Sequence, residues 1–279
     1  MLPPINKEET TMNRTLATLA AALAITLLAN TTHAAVQGKE VSYTADGVTM
    51  KGYVAWDDAV TGKHPGVLVV HEWWGHNDYA RKRARMLAEL GYTALAVDMY
   101  GDGKTASHPK EAGAFAGEVR KNATGAKARF LAAEALLKNE PGVDGERIGA
   151  LGYCFGGSVV LDMARQGVDL KAVASYHGGL STPTPAQPGQ VRARIVSFTG
   201  AADPMIPDAQ VEAFKKEMTQ AGVDFTTVVY PGVKHSFTNP DADAIAKQFN
   251  MPVGYDAAAD QDSWTKTRIL LRETLGAVN

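Results

Sequence analysis

Cysteine occurs once in the 279 residues, at Cys154, within Gly152-Tyr153-Cys154-Phe155-Gly156-Gly157 and directly after the apolar run Arg147-Ile148-Gly149-Ala150-Leu151. That order spells a strand, a sharp turn and a helix start, with a thiol at the apex. Glycines two residues to either side let the backbone turn tightly enough to hold a nucleophile in a strained conformation above a sheet edge. A helix beginning at about Gly156 directs free N–H groups and its positive end at the sulfur, which suits an anionic nucleophile. The competing role for a lone cysteine is a small buried hydrophobe, and the flanking glycines weigh against it.

A cysteine nucleophile needs a base, and the base needs an orienting acid. Asp203 lies in Phe198-Thr199-Gly200-Ala201-Ala202-Asp203-Pro204 and His235 in Pro231-Gly232-Val233-Lys234-His235-Ser236-Phe237, each just after a strand-like run. Alone, the first reads as a turn aspartate before proline and the second as a surface histidine. With Cys154 placed, the chain order is nucleophile, acid, base. The imidazole takes the thiol proton and later gives it to the leaving group, while the carboxylate fixes the imidazole tautomer. The loop His71-Glu72-Trp73-Trp74-Gly75-His76 follows the first buried strand and is placed to supply one oxyanion-binding N–H, from Trp73, beside a second from Phe155. Its histidines are five apart, not at the H-E-x-x-H spacing that puts both on one helical face, so no metal is expected and no cofactor is called for.

Loops of this kind must hang from a common edge, and the chain alternates strand and helix signals as a mostly parallel sheet requires. An antiparallel pair is expected at Val41 to Tyr43 and Met50 to Trp56, then strands at Gly66 to His71, Thr93 to Val97, Arg147 to Leu151, Lys171 to Tyr176, Ile195 to Thr199 and Phe225 to Val229. Helices are expected over Tyr79 to Leu90, over Lys110 to Asn139 with a break near Thr124-Gly125, from the elbow through Arg165, over Asp208 to Ala221 and over Ser263 to Leu275. The implied class is α/β, in the α/β-hydrolase arrangement of a mostly parallel central sheet flanked by helices on both faces.

Arg14, the apolar run Leu16 to Leu28 and the small-residue pattern Thr32-His33-Ala34 read as a secretory signal peptide over residues 1–34, the run being too short to span a bilayer. Lys7, Glu8 and Glu9 are unusual ahead of such a run, which makes Met12 an alternative start. Residues 35–279 then form a single secreted or periplasmic domain. Its lone thiol has no partner for an intrachain disulfide, and a free thiol in an oxidising compartment is a liability unless shielded or used. A formal net charge of -2 offers no basic footprint for nucleic acid or an anionic membrane. The expected partner is a small molecule, and the expected state a monomer or weak homo-oligomer.

These residues resemble the dienelactone hydrolase family, the cysteine-using branch of the α/β-hydrolases, over essentially all of residues 35–279. The anchors are H-E-x-x-G at His71 to Gly75, D-x-Y at Asp98 to Tyr100, G-Y-C-F-G-G at Gly152 to Gly157 and H-S-F at His235 to Phe237. The resemblance implies cleavage of carboxylic esters or lactones through an acyl-enzyme on Cys154. It also implies that Glu72 interacts with the nucleophile and takes part in activating the thiol, with side activity on activated aryl esters and phosphotriesters. Well-studied members bind the dienelactone carboxylate with two arginines, one shortly after D-x-Y and one shortly after H-S-F. Here Asp98 to Lys104 and His235 to Pro240 contain none, Asp102 and Asn239 standing in those neighbourhoods. A neutral ester is therefore the expected substrate, in a pocket lined by Trp74, Tyr100, Tyr153 and Phe237. The alternatives are a carboxymethylenebutenolidase proper, a non-enzymatic binding protein on a retained hydrolase fold, and a peroxide-reacting thiol lacking a resolving cysteine.

Overall fold

The computed structural model describes Met1, residues 36–45 and residues 47–278. The chain divides after Ala34, and all that follows concerns the unit Ala35–Asn279. Apart from Met1, the expected signal peptide lies outside the described residues. No helix among the described residues is long and apolar enough to cross a membrane.

β1 (Val36–Ala45) and β2 (Val48–Asp57) form an antiparallel hairpin, and β2 pairs antiparallel with β4 (Thr93–Val97). β3 (His64–Val70), β5 (Val143–Tyr153), β6 (Ala172–Tyr176), β7 (Arg194–Gly200) and β8 (Phe225–Tyr230) extend the sheet with parallel pairs only. The spatial order is β1-β2-β4-β3-β5-β6-β7-β8. Strands covered by helices on both faces read as continuous apolar runs, and β3, β4 and β6 are buried along their whole length.

One face of the sheet packs against α1 (Asp78–Ala88) and α7 (Ala257–Leu275) through Leu87, Leu270 and Leu271. The other packs against α2 (Pro109–Lys121), α3 (Ala123–Lys138), α4 (Phe155–Arg165) and α5 (Asp208–Gln220) through Val119, Phe130, Val160 and Phe214. Along β5 the side chains alternate between these layers, Ile148 and Ala150 to the second, Leu151 and Tyr153 to the first. The break expected near Thr124-Gly125 falls at Asn122, whose side chain accepts from the Gly125 N–H at 2.9 Å and caps α3. α7 begins at Ala257, ahead of the expected Ser263, where Asp256 accepts from the Ala259 N–H at 2.9 Å. α6 (Ala242–Phe249) follows the turn residues Asn239-Pro240-Asp241 and was not expected. In a sheet of this topology ligands bind outside the carboxyl ends of the parallel strands. Glu72, Cys154, Asp203 and His235 all lie just beyond those ends, after β3, β5, β7 and β8.

Candidate active site

Cys154 sits between β5 and α4 with φ 52° and ψ −114°, a conformation that costs a non-glycine residue of order 1–3 kcal/mol. Close packing imposes it. A Cβ on Gly152 would lie 2.0 Å from the Gly156 carbonyl oxygen, and one on Gly156 would lie 2.3 Å from that of Val70. The two glycines thus serve approach between chain segments rather than positive φ. The Cys154 N–H is shared between the Tyr176 carbonyl at 2.9 Å and His177 Nδ1 at 3.1 Å. The Gly156 N–H donates to the His71 carbonyl at 3.1 Å, tying the start of α4 to the neighbouring loop.

His235 and Asp203 meet as the chain order predicts. His235 Nδ1 is 2.6 Å from Asp203 Oδ2, and the other Asp203 oxygen accepts from the Met205 N–H at 2.8 Å. Both side chains are buried. His235 Nε2 is buried too and makes no hydrogen bond of sound geometry. Burial works against its imidazolium, but the interaction with Cys154, followed by the Asp203 hydrogen bond, outweighs it and lifts the ring from 6.5 to about 10.

Glu72 is held from the loop that carries His235. It is 1% exposed, and its oxygens accept from Asn239 Nδ2 at 2.6 Å and Ser236 Oγ at 3.2 Å. Among the described residues no hydrogen bond links it to Cys154. Burial pushes its carboxyl above the usual range, against the opposing pull of Asn239 and of the His235 charge. Asn239, which sequence places where a carboxylate-binding arginine would stand, is thus occupied in holding Glu72. Asp98 of the D-x-Y motif organises a loop, its carboxylate accepting from the N–H groups of Lys51, Tyr100, Gly101 and Gly103.

A cavity of about 240 Å³ opens over Cys154 and His235, walled by Trp73, Trp74, Phe155, Ile206, Ile245 and Val253. Of the four expected pocket residues only Trp74 lines it. Tyr100 is buried beneath, packed on His71 and Phe155 and donating to the Trp73 carbonyl at 2.9 Å. Tyr153 precedes Cys154 by one residue, so strand alternation sends it to the opposite face, where it stacks on Tyr176. Phe237 is fully buried against Tyr230 and His177. The cavity draws Ile245 instead from α6, the unanticipated helix.

Sequence reasoning also missed His177. Its Nδ1 accepts from Cys154, so Nε2 carries the proton and donates to Thr238 Oγ1 at 3.0 Å. Thr238 Oγ1 is 2.7 Å from the Tyr79 hydroxyl, which accepts from Arg83 Nε at 3.2 Å. Arg83 further donates to the Thr238 carbonyl at 2.6 Å and to Asp260 at 2.7 Å. Burial and the neighbouring His235 hold His177 well below the usual imidazole value, hence neutral. The signal was present: His177 directly follows the apolar strand Lys171 to Tyr176, the same position that marked Asp203 and His235. Cys154, His177 and Ser236 all have positive φ, at 52°, 40° and 58°, so backbone strain gathers around this site.

A parallel sheet with antiparallel opening strands, a positive-φ cysteine at the strand-to-helix turn, and Asp and His at later strand ends define an α/β-hydrolase. The dienelactone hydrolase family model matches residues 50–275, and the chain belongs to that family. It is a hydrolase acting on esters or lactones. A dienelactone hydrolase-like promiscuous phosphotriesterase from metagenomic libraries superposes with a TM-score of 0.82 at 33% identity, covering 87% of this chain and all of its own. Protein usf of Aquifex pyrophilus is 28% identical over 245 residues, spanning 85% of this chain and 99% of that protein.

Proposed function

We propose that the chain hydrolyses neutral carboxylic esters or lactones through a covalent acyl-enzyme on Cys154. The observation that carries the reading is the buried Asp203–His235 pair, which shares with Cys154 the lining of one open cavity. The sulfur adds to the carbonyl carbon, and the resulting oxyanion is held by the Trp73 and Phe155 N–H groups. Phe155 is the first residue of α4, where a helix N–H has no intrahelical acceptor. Collapse expels the alkoxide, which takes its proton from His235 Nε2 and leaves a thioester. Water then gives a proton to His235 and attacks the thioester, and the acid departs as the thiolate and imidazolium are restored. Glu72, held by Asn239 and Ser236 at the same loop edge, sets the charge environment of the thiol. Turnover of phosphotriesters as a side activity is supported by the similar metagenomic enzyme.

Iodoacetamide titration run beside an aryl-ester assay tests this. Alkylation of Cys154 and loss of turnover should proceed at one rate, and Glu72→Gln should move the pH dependence of that alkylation. A rapidly alkylated protein that keeps its esterase activity would refute the reading, and a thiol lost only to peroxide would favour redox chemistry.

Carboxymethylenebutenolidase activity proper has one observation in its favour. Arg120 of α2 lines the cavity with its guanidinium 5.7 Å from the centre of the Phe155 ring, and among the described residues no carboxylate pairs with it. Arg81, by contrast, is paired with Glu40 at 2.6 Å. If Arg120 anchors a substrate carboxylate, Arg120→Ala should lower the ratio of kcat/KM for a carboxylate-bearing lactone to that for its methyl ester by about tenfold. An unchanged ratio leaves the neutral-ester reading alone standing.

A further inference from the structure

The catalytic cavity does not end at Arg120. A second chamber of about 390 Å³ continues from it, and Arg120, Phe155, Ser158, Gly179 and Met205 line both. Its floor is apolar, built from the buried Val119, Ala126, Val159 and Met163 between α2, α3 and α4. Its rim is polar, with Gln166, Thr182 and Gln210. Asp162 and Gln210 are already engaged there, the first by Arg165 at 3.1 Å and the second by the Leu180 N–H at 2.7 Å. Arg120, Ser158, Gln166 and Thr182 stay along its polar side, and the apolar floor is the part a hydrocarbon chain would cover.

Direction follows from proton transfer. His235 protonates the leaving oxygen, so the alcohol part of a bound ester lies against the wall formed by His235, Ser236, Ile245, Met251 and Val253. None of these five lines the second chamber. The acyl part must point the other way, past Phe155 and Ser158. We propose that the second chamber is an acyl subsite, and that the enzyme prefers esters of extended apolar acids, medium-chain or arylalkyl, over acetates. The proposal rests on the ester-hydrolase reading above and names the substrate class of that same site. Each methylene buried on the floor contributes roughly a fourfold gain in kcat/KM at most. The chamber is open along its rim, so a gain of at least about 30-fold is expected for six added methylenes.

The experiment compares p-nitrophenyl octanoate with p-nitrophenyl acetate, which share a leaving group. In the parent enzyme the octanoate-to-acetate ratio of kcat/KM should be at least about 30. Ala123→Phe and Gln166→Phe, made separately, place a ring in the chamber from α3 and from the end of α4, and each should lower that ratio at least about tenfold, with folding checked by circular dichroism. Two positions on different elements guard against one variant failing to fold. A parent that turns over acetate but shows no acyl-length preference, or ratios untouched in both folded variants, would overturn the subsite while leaving the hydrolase reading in place. A preference for octyl acetate over ethyl acetate that Ala123→Phe and Gln166→Phe both abolish would overturn it as well, by putting the leaving group in the chamber. Absence of turnover for every ester would remove both.

Discussion

Cys154→Ala should lower kcat/KM for a short aryl ester by at least ~10⁴-fold while the protein remains folded, since the elbow supplies the attacking atom and little core volume. His235→Ala should be comparably damaging. Asp203→Asn should cost ~10³- to 10⁴-fold, because an amide at 2.6 Å from Nδ1 favours the wrong imidazole tautomer. Effects below about tenfold at His235 or Asp203 would mean that the triad is misassigned. The same pair fixes the pH dependence. His235 is raised in the folded protein to about 10 from an ordinary 6.5, so its contribution to stability is full below 6.5 and is lost as pH rises through about 10. Activity should fall over the same alkaline limb, as the ring loses the proton it gives to the leaving group. In Cys154→Ala the leading cause of the rise is gone while burial persists, so the ring should titrate at lower pH, as NMR of His235 would register.

Arg83→Met should reduce unfolding free energy by ~3–5 kcal/mol and Tm by ~10 °C. Methionine fills much of the space but leaves Asp260 without its cation and the Thr238 carbonyl without a donor. Arg83 is 3% exposed, and its guanidinium carbon lies 5.2 and 5.3 Å from the ring centres of Tyr79 and Tyr153. Arg83→Lys should recover only part of the loss: Nη2 alone serves both oxygens, but Nε also donates to the Tyr79 hydroxyl, and an ammonium lacks that second fixed arm. A variant within about 1 kcal/mol of the parent in urea unfolding would show that Asp260, 16% exposed as a side chain, finds water instead.

Arg83 also marks where sequence reading stops. The strands were legible because apolar runs flanked by turn residues leave little choice, and Thr93 to Val97 agrees residue for residue. Cys154, Asp203 and His235 were legible because each follows such a run. Tyr100, Tyr153 and Phe237 were misplaced because adjacency in sequence to a site residue says nothing of which face a side chain takes. The Arg83 fork spans Tyr79, Thr238 and Asp260, contacts separated by up to 177 positions, and no local pattern announces it. Arg120 and Ile245 enter the cavity from helices whose own sequences look like ordinary amphipathic surface.

The rings of His177 and His235 are centred 4.9 Å apart. His177 is held neutral by burial and by the neighbouring ring, while His235 is raised by Cys154 and Asp203. Of these two rings, only His235 therefore has a proton to transfer in the proposed reaction. In the proposed cycle the proton released to the departing alcohol is regained from the incoming water by the same ring, so deacylation needs that ring neutral. A leaving group acidic enough to depart unprotonated, such as p-nitrophenolate, would leave the ring charged, and deacylation would then wait until the ring sheds that proton and can act as a base on water.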